Sequence, residues 1–204
     1  MTWLSHPVLE LRPNYDDPAL VTGRDLTFAR RGFGQVTPWA NQPNAQRTLS
    51  LPFVLIGKAQ VAAFRRFFEA LAGRAGLFWV PAYQNAMALQ SDVSAEAGNL
   101  TCGDTGLADR LFQHPGYIHA ALVSATALQP FQIESVAVSD GAMIVSSTEI
   151  VGQEFVAAST MVSWLMLVRL QADELAFTYL TDALALVTLN CIEVPREYPP
   201  SITL

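Results

Sequence analysis

The 204-residue sequence predicts a mainly β protein with a single helix. Three observations predict this fold. Apolar residues recur at every second position in several segments, one segment alone has the helical period, and turn-forming Gly, Pro and Asn separate these segments. At this length we expect one domain, or one domain with a sizeable insertion.

The first fifty residues alternate short apolar pieces with turn residues, so we expect short strands and long loops there, without a helix. Residues 47–56 are more regular, since apolar side chains occupy every second position from Leu49 to Leu55. That pattern predicts a strand. Pro52 lies within it and lacks a backbone N–H, so the strand is expected at a sheet edge.

The helix is predicted at about residues 58–72, where apolar residues return at helical spacing and charged side chains take the other face. Gly57 suits the N-cap position, and Gly73 suits the C′ position. Residues 77–80 then form a short apolar strand that Pro81 ends. The segment therefore reads as strand, helix, strand.

The middle of the chain predicts a small β unit. Residues 84–116 are rich in Gly, Asn and Asp, which is typical of a long loop or of the entry to an inserted subdomain. Two later strand-like runs, 131–138 and 142–148, enclose Asp140-Gly141. This dipeptide is the strongest hairpin signal in the chain.

The C-terminal third contains three strand-like runs, at residues 161–170, 174–180 and 184–194, and they predict a meander. The first run is apolar at both odd and even positions. We therefore expect a strand that is buried on both faces.

The charge content is low, because only 15% of the residues are Asp, Glu, Lys or Arg and 51% are apolar. Soluble domains average roughly 25% charged residues. A membrane or a large protein partner is therefore expected to cover part of the surface. The uncharged runs are too short or too interrupted by polar residues to span a bilayer, which favours the protein partner. The first ten residues lack the features of a secretory signal, so synthesis in a cytoplasm is expected.

The net charge of −6 argues against a protein that binds nucleic acid through its phosphates, because such binding needs a basic face. The two cysteines, Cys102 and Cys191, lie far apart in the sequence. We expect a pair of reduced thiols, with a single bridge as the alternative.

The candidates for chemistry are few. His114 and His119 are five positions apart, a spacing that does not bring two imidazoles together, and no third ligand is evident. Asp104 belongs to an Asp-Thr-Gly stretch with the composition of a turn. Residues 32–34 lack the third glycine and the following helix of a dinucleotide fingerprint. We therefore expect no enzyme activity, no metal site and no cofactor.

Four residues are candidates for a subunit interface. Phe67 lies off the main apolar stripe of the helix, beside Arg65 and Arg66, and aromatic and arginine side chains are enriched at protein interfaces. We expect the two arginines to contact carboxylates of a neighbouring subunit. Trp39 follows a Thr-Pro pair and suits an interface anchor or local packing equally well.

Two blocks of sequence carry a resemblance to a known family. The first covers residues 37–53 and 60–81, in which a strand and the helix lead to Gly-Arg and to an aromatic strand that ends in proline. The second covers residues 173–197 and contains a terminal strand ending in Glu-Val-Pro. Together they span about a third of the chain. They resemble the distal-tail type of tail-tip protein of long non-contractile-tailed bacteriophages (siphophages) and related gene-transfer particles.

The resemblance implies a tail-tube-like domain, a β-sandwich or split barrel flanked by one helix, which residues 1–90 and 160–204 form and whose copies build a ring. That ring would connect the tail tube protein to the hub or baseplate and the tail fibres, at the tail tip of the virion. Residues 91–159 would be a peripheral inserted β subdomain. DNA would pass the lumen without specific binding. The chain lacks the cysteine cluster that some tail-tip proteins use for an iron–sulfur centre.

Two alternatives stay open from the sequence. The chain could occupy another station of the same tail, as a tube or terminator protein. It could also be a carbohydrate-binding β-sandwich in host adhesion, with Trp39 or Trp3 as a stacking platform.

Overall fold

The computed structural model describes residues 1–14, 18–24, 26–30, 36–40, 45–106, 108, 117–147 and 152–199. The protein is mainly β with one α-helix, α1 (Gly57–Ala70), as the sequence predicts. The strands of the first half are β1 (Thr2–Trp3), β2 (His6–Pro7), β3 (Ala19–Gly23), β4 (Leu26–Arg30), β5 (Val36–Ala40), β6 (Gln46–Ile56) and β7 (Phe78–Pro81). Those of the second half are β8 (Asn99–Gly103), β9 (His119–Val123), β10 (Leu128–Ser139), β11 (Ala142–Ser147), β12 (Met161–Leu170), β13 (Phe177–Thr181) and β14 (Leu184–Glu193).

The chain forms two compact units. The first unit comprises Met1–Arg12, Leu77–Leu167 and Glu197–Leu204, and the second comprises Pro13–Gly76 and Val168–Arg196. The segment 77–90 therefore clusters with the middle of the chain, whereas the sequence groups it with the expected ring domain. The assembly roles given to residues 1–90 plus 160–204, and to the insertion 91–159, stay predictions.

In the second unit, β6 lies inside an antiparallel sheet. It pairs with β14 along nearly its whole length, from Thr48↔Ile192 to Ile56↔Leu184, and β3 pairs with its first five residues. The prediction of an edge strand is therefore wrong. Pro52 is nevertheless tolerated, because the pairing of β6 with β3 stops at Ser50, opposite Ala19, so no strand partner requires an N–H at Pro52.

The predicted meander of the last three strands is also wrong. The first half of β14 pairs with β13, and its end pairs with residues 168–170 of β12. In a meander β12 would pair with β13 along the sheet, whereas here β14 is the partner of both. The burial of β12 on both faces is confirmed, since eight of its ten residues are buried.

Helix α1 packs on the sheet of the second unit through Phe64, its one buried residue. The Phe64 ring lies 5.2 Å from that of Phe53 and 6.3 Å from that of Phe177, between ring centroids. Ile56 is the N-cap and the helix begins at Gly57, so the prediction of Gly57 as the N-cap is wrong. After the helix, Ala72 lies in the left-handed region with φ of 51°. Ala72 therefore takes the position that the sequence assigned to Gly73.

In the first unit, β9, β10, β11 and β8 form consecutive antiparallel pairs, and β12 pairs with the other edge of β9. The hairpin predicted at Asp140-Gly141 is confirmed and joins β10 to β11. Both turn residues have positive φ, 52° and 76°, as the turns that suit two-residue hairpins require.

Candidate assembly surfaces

Strand β3 forms one open edge of the second unit. Four of its five residues are exposed, and the Val21 side chain is 61% exposed. It pairs with β6 on one side, and no described residue pairs with its other side. The strand carries no charge, and exposed Arg24 follows it. An uncharged strand with a free edge offers its backbone to another strand.

The edge of β6 beyond β3 is closed by side chains. The backbone N–H of Asn14 donates to the Pro52 carbonyl oxygen at 3.3 Å. The side-chain oxygen of Asn14 accepts the N–H of Val54 at 2.7 Å, and its side-chain NH₂ donates to the Val54 carbonyl oxygen at 3.1 Å. The N–H of Ile56 donates to Gln60 Oε1 at 2.8 Å. This edge is therefore satisfied within the chain, unlike that of β3.

Strand β13 forms the second open edge. Four of its five residues are exposed, with Tyr179 at 51% and Leu180 at 55%, and none is charged. It pairs with β14 on one side only, among the parts of the chain that the structure describes. A shift of register between Tyr179 and Thr181 bends the strand, but no lysine or proline protects it.

Arg65 is held against β13. Its Nη2 donates to the Tyr179 hydroxyl at 2.9 Å, and its guanidinium carbon lies 4.9 Å from the centroid of the Phe177 ring. A cleft of about 300 Å³ opens beside it. The cleft is lined by Lys58, Val61, Arg65, Tyr179, Asp182 and Leu184. One of the four predicted interface residues thus lies next to an open strand edge.

Of the other three candidates, two lie on α1 with Arg65 and the third lies on β5. Arg66 is exposed on α1, and Phe67 is half-buried and makes a contact of its own. Trp39 lies on β5, and its side chain is outside the described residues. Contacts of Arg65 and Arg66 with a neighbouring subunit stay a prediction.

A second cleft of the second unit, of about 810 Å³, adjoins an exposed ion pair. The Asp173 carboxylate accepts hydrogen bonds from the backbone N–H of Arg74 at 2.8 Å and from Arg74 Nε at 3.0 Å. The backbone hydrogen bond is the main cause that lowers the pKa of Asp173. Arg169 donates to the carbonyl oxygens of Arg74 at 3.2 Å and Ala75 at 2.6 Å. These bonds fasten the turn after α1 to the loop after β12.

His119 is enclosed by aromatic rings in the first unit. It is 1% exposed, stacks on Tyr198 at 5.3 Å between centroids, and meets Trp3 and Trp79 at 5.3 and 4.9 Å. Neither ring nitrogen has a hydrogen-bond partner among the described residues, and burial lowers the pKa of His119 to about 4. This imidazole therefore belongs to the core.

Trp3 is buried in the same cluster, at 8% exposure, so it offers no face to a sugar ring. Among the described residues, no group of three or more His, Cys, Asp or Glu side chains could hold a metal ion. His114 and residues 32–34 lie outside the described residues. Asp104 is exposed, and its carboxylate accepts the N–H of Gly106 at 2.8 Å, as expected of a turn.

Cys102 and Cys191 are both buried and free, which agrees with the expectation of reduced thiols. Burial raises the pKa of the Cys102 thiol to about 11 and that of Cys191 to about 12.

The two units differ in charge. By sequence, the first unit has ten acidic residues and two basic ones, whereas the second has eight acidic residues and ten basic ones. The first unit therefore carries a net charge of −8 and the second +2. The overall charge of −6 conceals this division, which could have been found by counting charges along the chain.

The open edges themselves were missed by sequence reasoning. Residues 19–23 form an uncharged run between Pro18 and Arg24, but pairing partners cannot be read from such a run. No helix in the described part of the chain is long and apolar enough to cross a membrane. No protein-family model and no curated protein matches the chain.

Proposed function

We propose that the protein is a structural subunit of the tail tip of a long non-contractile-tailed bacteriophage or a related particle. Its copies form a ring that connects the tail tube to the hub or baseplate and the tail fibres. The observation that carries the proposal is the pair of open, uncharged strand edges in the second unit, at β3 and β13. The resemblance of the two sequence blocks supplies the location.

Two different open edges suit a ring. A contact between unlike surfaces of identical copies is head-to-tail, and it closes into a ring when the rotation between copies permits. Each edge can pair with a strand of a neighbouring subunit, which would satisfy the backbone groups that β3 and β13 leave free in a single copy. The low charge content has the same explanation, because a ring subunit hides lateral and axial faces from water.

The net negative charge supports the role of a conduit. DNA that must move through a lumen is retarded by a basic wall, whereas a protein of net charge −6 repels its phosphates. DNA is therefore proposed to pass the ring without specific binding.

The proposal is tested on the isolated protein by placing a lysine on each open edge. Leu180→Lys and Val21→Lys add a charge that must be desolvated when another strand pairs there. Each variant should raise the dissociation constant of the oligomer at least about tenfold in sedimentation velocity. Val156→Lys is the matched control, since Val156 is 54% exposed and lies outside every strand. Equal association of all three variants and the parent would contradict assembly through these edges.

The location is tested by electron microscopy of particles in which this chain carries a gold label. Label at the tail tip supports the proposal, whereas label along the tube or at the neck places the protein at another station. The carbohydrate-binding alternative gains no support from the described structure, because Trp3 is buried and the side chain of Trp39 lies outside the described residues.

A further inference from the structure

A third open edge lies in the distal half of β10. Strand β9 pairs with residues 128–132, and β10 then has a register shift between Ile133 and Ser135. From Ser135 to Ser139 the only described partner is β11. These five residues carry no charge, and Val138 is 50% exposed.

An acidic residue lies at each end of this open edge. Glu134 precedes it and Asp140 follows it, and both are exposed. If two copies paired through this edge antiparallel about its centre, Glu134 of each would face Asp140 of the other. Like charges directly opposite each other destabilise a strand pair, so this edge is unsuited to pairing with itself.

The hairpin turn fixes which backbone groups of β10 point outward. A two-residue turn closes on a hydrogen-bonded pair, here Ser139↔Ala142, and bonded pairs alternate with non-bonded ones along the ladder. Ala137 therefore bonds to β11. The N–H and C=O groups of Val136 and Val138 point to the open edge.

The same reasoning applies to β3. The backbone groups of Pro52 and Val54 point to the β3 side of β6, because Asn14 bonds to them there. By alternation Thr48 and Ser50 also point to that side, and they pair with Val21 and Ala19. Leu20 and Thr22, the residues in between, therefore direct their backbone groups to the open edge.

We propose that the open edge of β3 pairs antiparallel with the distal half of β10 in a second copy of this chain, with Leu20 opposite Val138 and Thr22 opposite Val136. This inference rests on the proposed self-assembly and names one of its contacts. In this register the outward-facing backbone groups of both strands meet, so four backbone hydrogen bonds form without displacing any in the monomer.

The flanking charges agree with the register. Beyond Thr22, exposed Arg24 lies at the same end of the proposed pair as Glu134, and at the other end uncharged Pro18 lies at the same end as Asp140. The charge of the units agrees as well, since β3 belongs to the unit of net charge +2 and β10 to that of −8. Complementary charges fix register and partner choice at an interface.

The side chains of the proposed pair extend an apolar face of each sheet. Leu20 is half-buried on the face that it shares with buried Leu49, and Val138 shares a face with buried Met143. Pairing Leu20 with Val138 extends one apolar face across both copies and covers the exposed half of Val138. Val21 and Ala137 then lie opposite each other on the other face.

Cysteine crosslinking tests the register in the full chain. Val21 and Ala137 form a non-hydrogen-bonded pair in the proposal, with Cα atoms about 4.5 Å apart, a separation that a disulfide can bridge. The variant Val21→Cys/Ala137→Cys should give covalent multimers on mild oxidation, and reduction should return them to single chains. The native cysteines are buried and are expected to contribute little.

Three controls make the crosslink specific. Val21→Cys alone and Ala137→Cys alone should give no multimers beyond dimers and only minor amounts of those. The shifted pair Val21→Cys/Ser139→Cys should crosslink weakly, because its positions are two residues out of register. Strong dimers of Val21→Cys alone would show β3 pairing with itself, and equal crosslinking of the shifted pair would show another register. Either result overturns the proposal.

A charge exchange tests the flanking pair. Arg24→Glu alone and Glu134→Arg alone should each raise the dissociation constant about tenfold, and the double exchange should restore it to within about threefold of the parent value. No rescue by the double exchange overturns the proposed register. If the parent assembles but these tests fail, only this inference falls. A parent chain that stays monomeric contradicts the proposed function as well.

Discussion

Arg47 and Glu193 form a buried, bidentate ion pair that joins β6 to β14. Arg47 Nε donates to Glu193 Oε2 at 2.6 Å, and Nη2 donates to Oε1. The two side chains are 4% and 0% exposed, so both charges are removed from water. The pair closes the end of the ladder that begins at Thr48↔Ile192.

Removing one charge of this pair is expected to be costly. Glu193→Gln leaves the Arg47 guanidinium buried without a counter-charge, so the free energy of unfolding should fall by about 3–5 kcal/mol. Urea denaturation measures the change. Glu69→Gln, at an exposed helix position, is the control and should change it by less than about 0.5 kcal/mol. A loss below about 1 kcal/mol for Glu193→Gln would contradict a desolvated pair.

Gly76 is expected to tolerate no side chain. A Cβ atom there would lie 2.1 Å from the backbone carbonyl oxygen of Leu71, which cannot move without disturbing the end of α1. Gly76→Ala should therefore lower the free energy of unfolding by at least about 2 kcal/mol. In Gly98→Ala, the new Cβ meets nothing within 4 Å, and thermal unfolding should shift little. Similar midpoints for both variants would refute the close approach.

His119 is expected to make stability depend on pH. Its pKa falls from 6.5 in the unfolded chain to about 4 in the fold, because burial disfavours the imidazolium. Between these values the unfolded chain binds the extra proton. Stability is therefore full above pH 6.5 and decreases as the pH falls toward 4, by up to about 3 kcal/mol.

The variant His119→Leu isolates this effect, because it removes the only titrating group of the cluster that changes charge in this range. Urea midpoints of parent and variant, measured from pH 7 to pH 4.5, should diverge as the pH falls. Parallel curves would mean that His119 is not buried as a neutral side chain.

The two thiols are expected to be inert in the native protein. Since burial raises the pKa of both Cys102 and Cys191 well above neutrality, little thiolate is present at pH 8. A thiol-reactive chromogen should label neither cysteine in buffer and both in guanidinium chloride. Rapid labelling of one thiol in buffer would show that its strand opens, and the absence of any labelled thiol under denaturing conditions would indicate an oxidised pair.

The local elements could be predicted well from the sequence. The spacing that places Phe64 on the sheet predicts the helix to within two residues at each end. The bounds of β12 and the Asp140-Gly141 turn also agree with prediction, because period and turn chemistry are properties of neighbouring residues.

The pairing of strands could not be predicted in the same way. Pro52 indicated an edge, but β6 is internal because β3 pairs with its first five residues. Pro52 fits there because that pairing stops at Ser50. The open edges also depend on contacts between distant residues, because the sequence of β13 does not indicate that only one side of the strand will pair, with β14. The hydrogen bonds by which Asn14 closes the edge of β6 could not be predicted either, because the composition of the sequence does not indicate them.

The mass of the purified chain in native mass spectrometry tests the central claim most directly. A structural ring subunit is expected to give one closed multiple of the 22.2 kDa chain at micromolar concentration, with dissociation promoted by Leu180→Lys. A single species at the monomer mass, unchanged up to the highest concentration that remains soluble, would contradict the account.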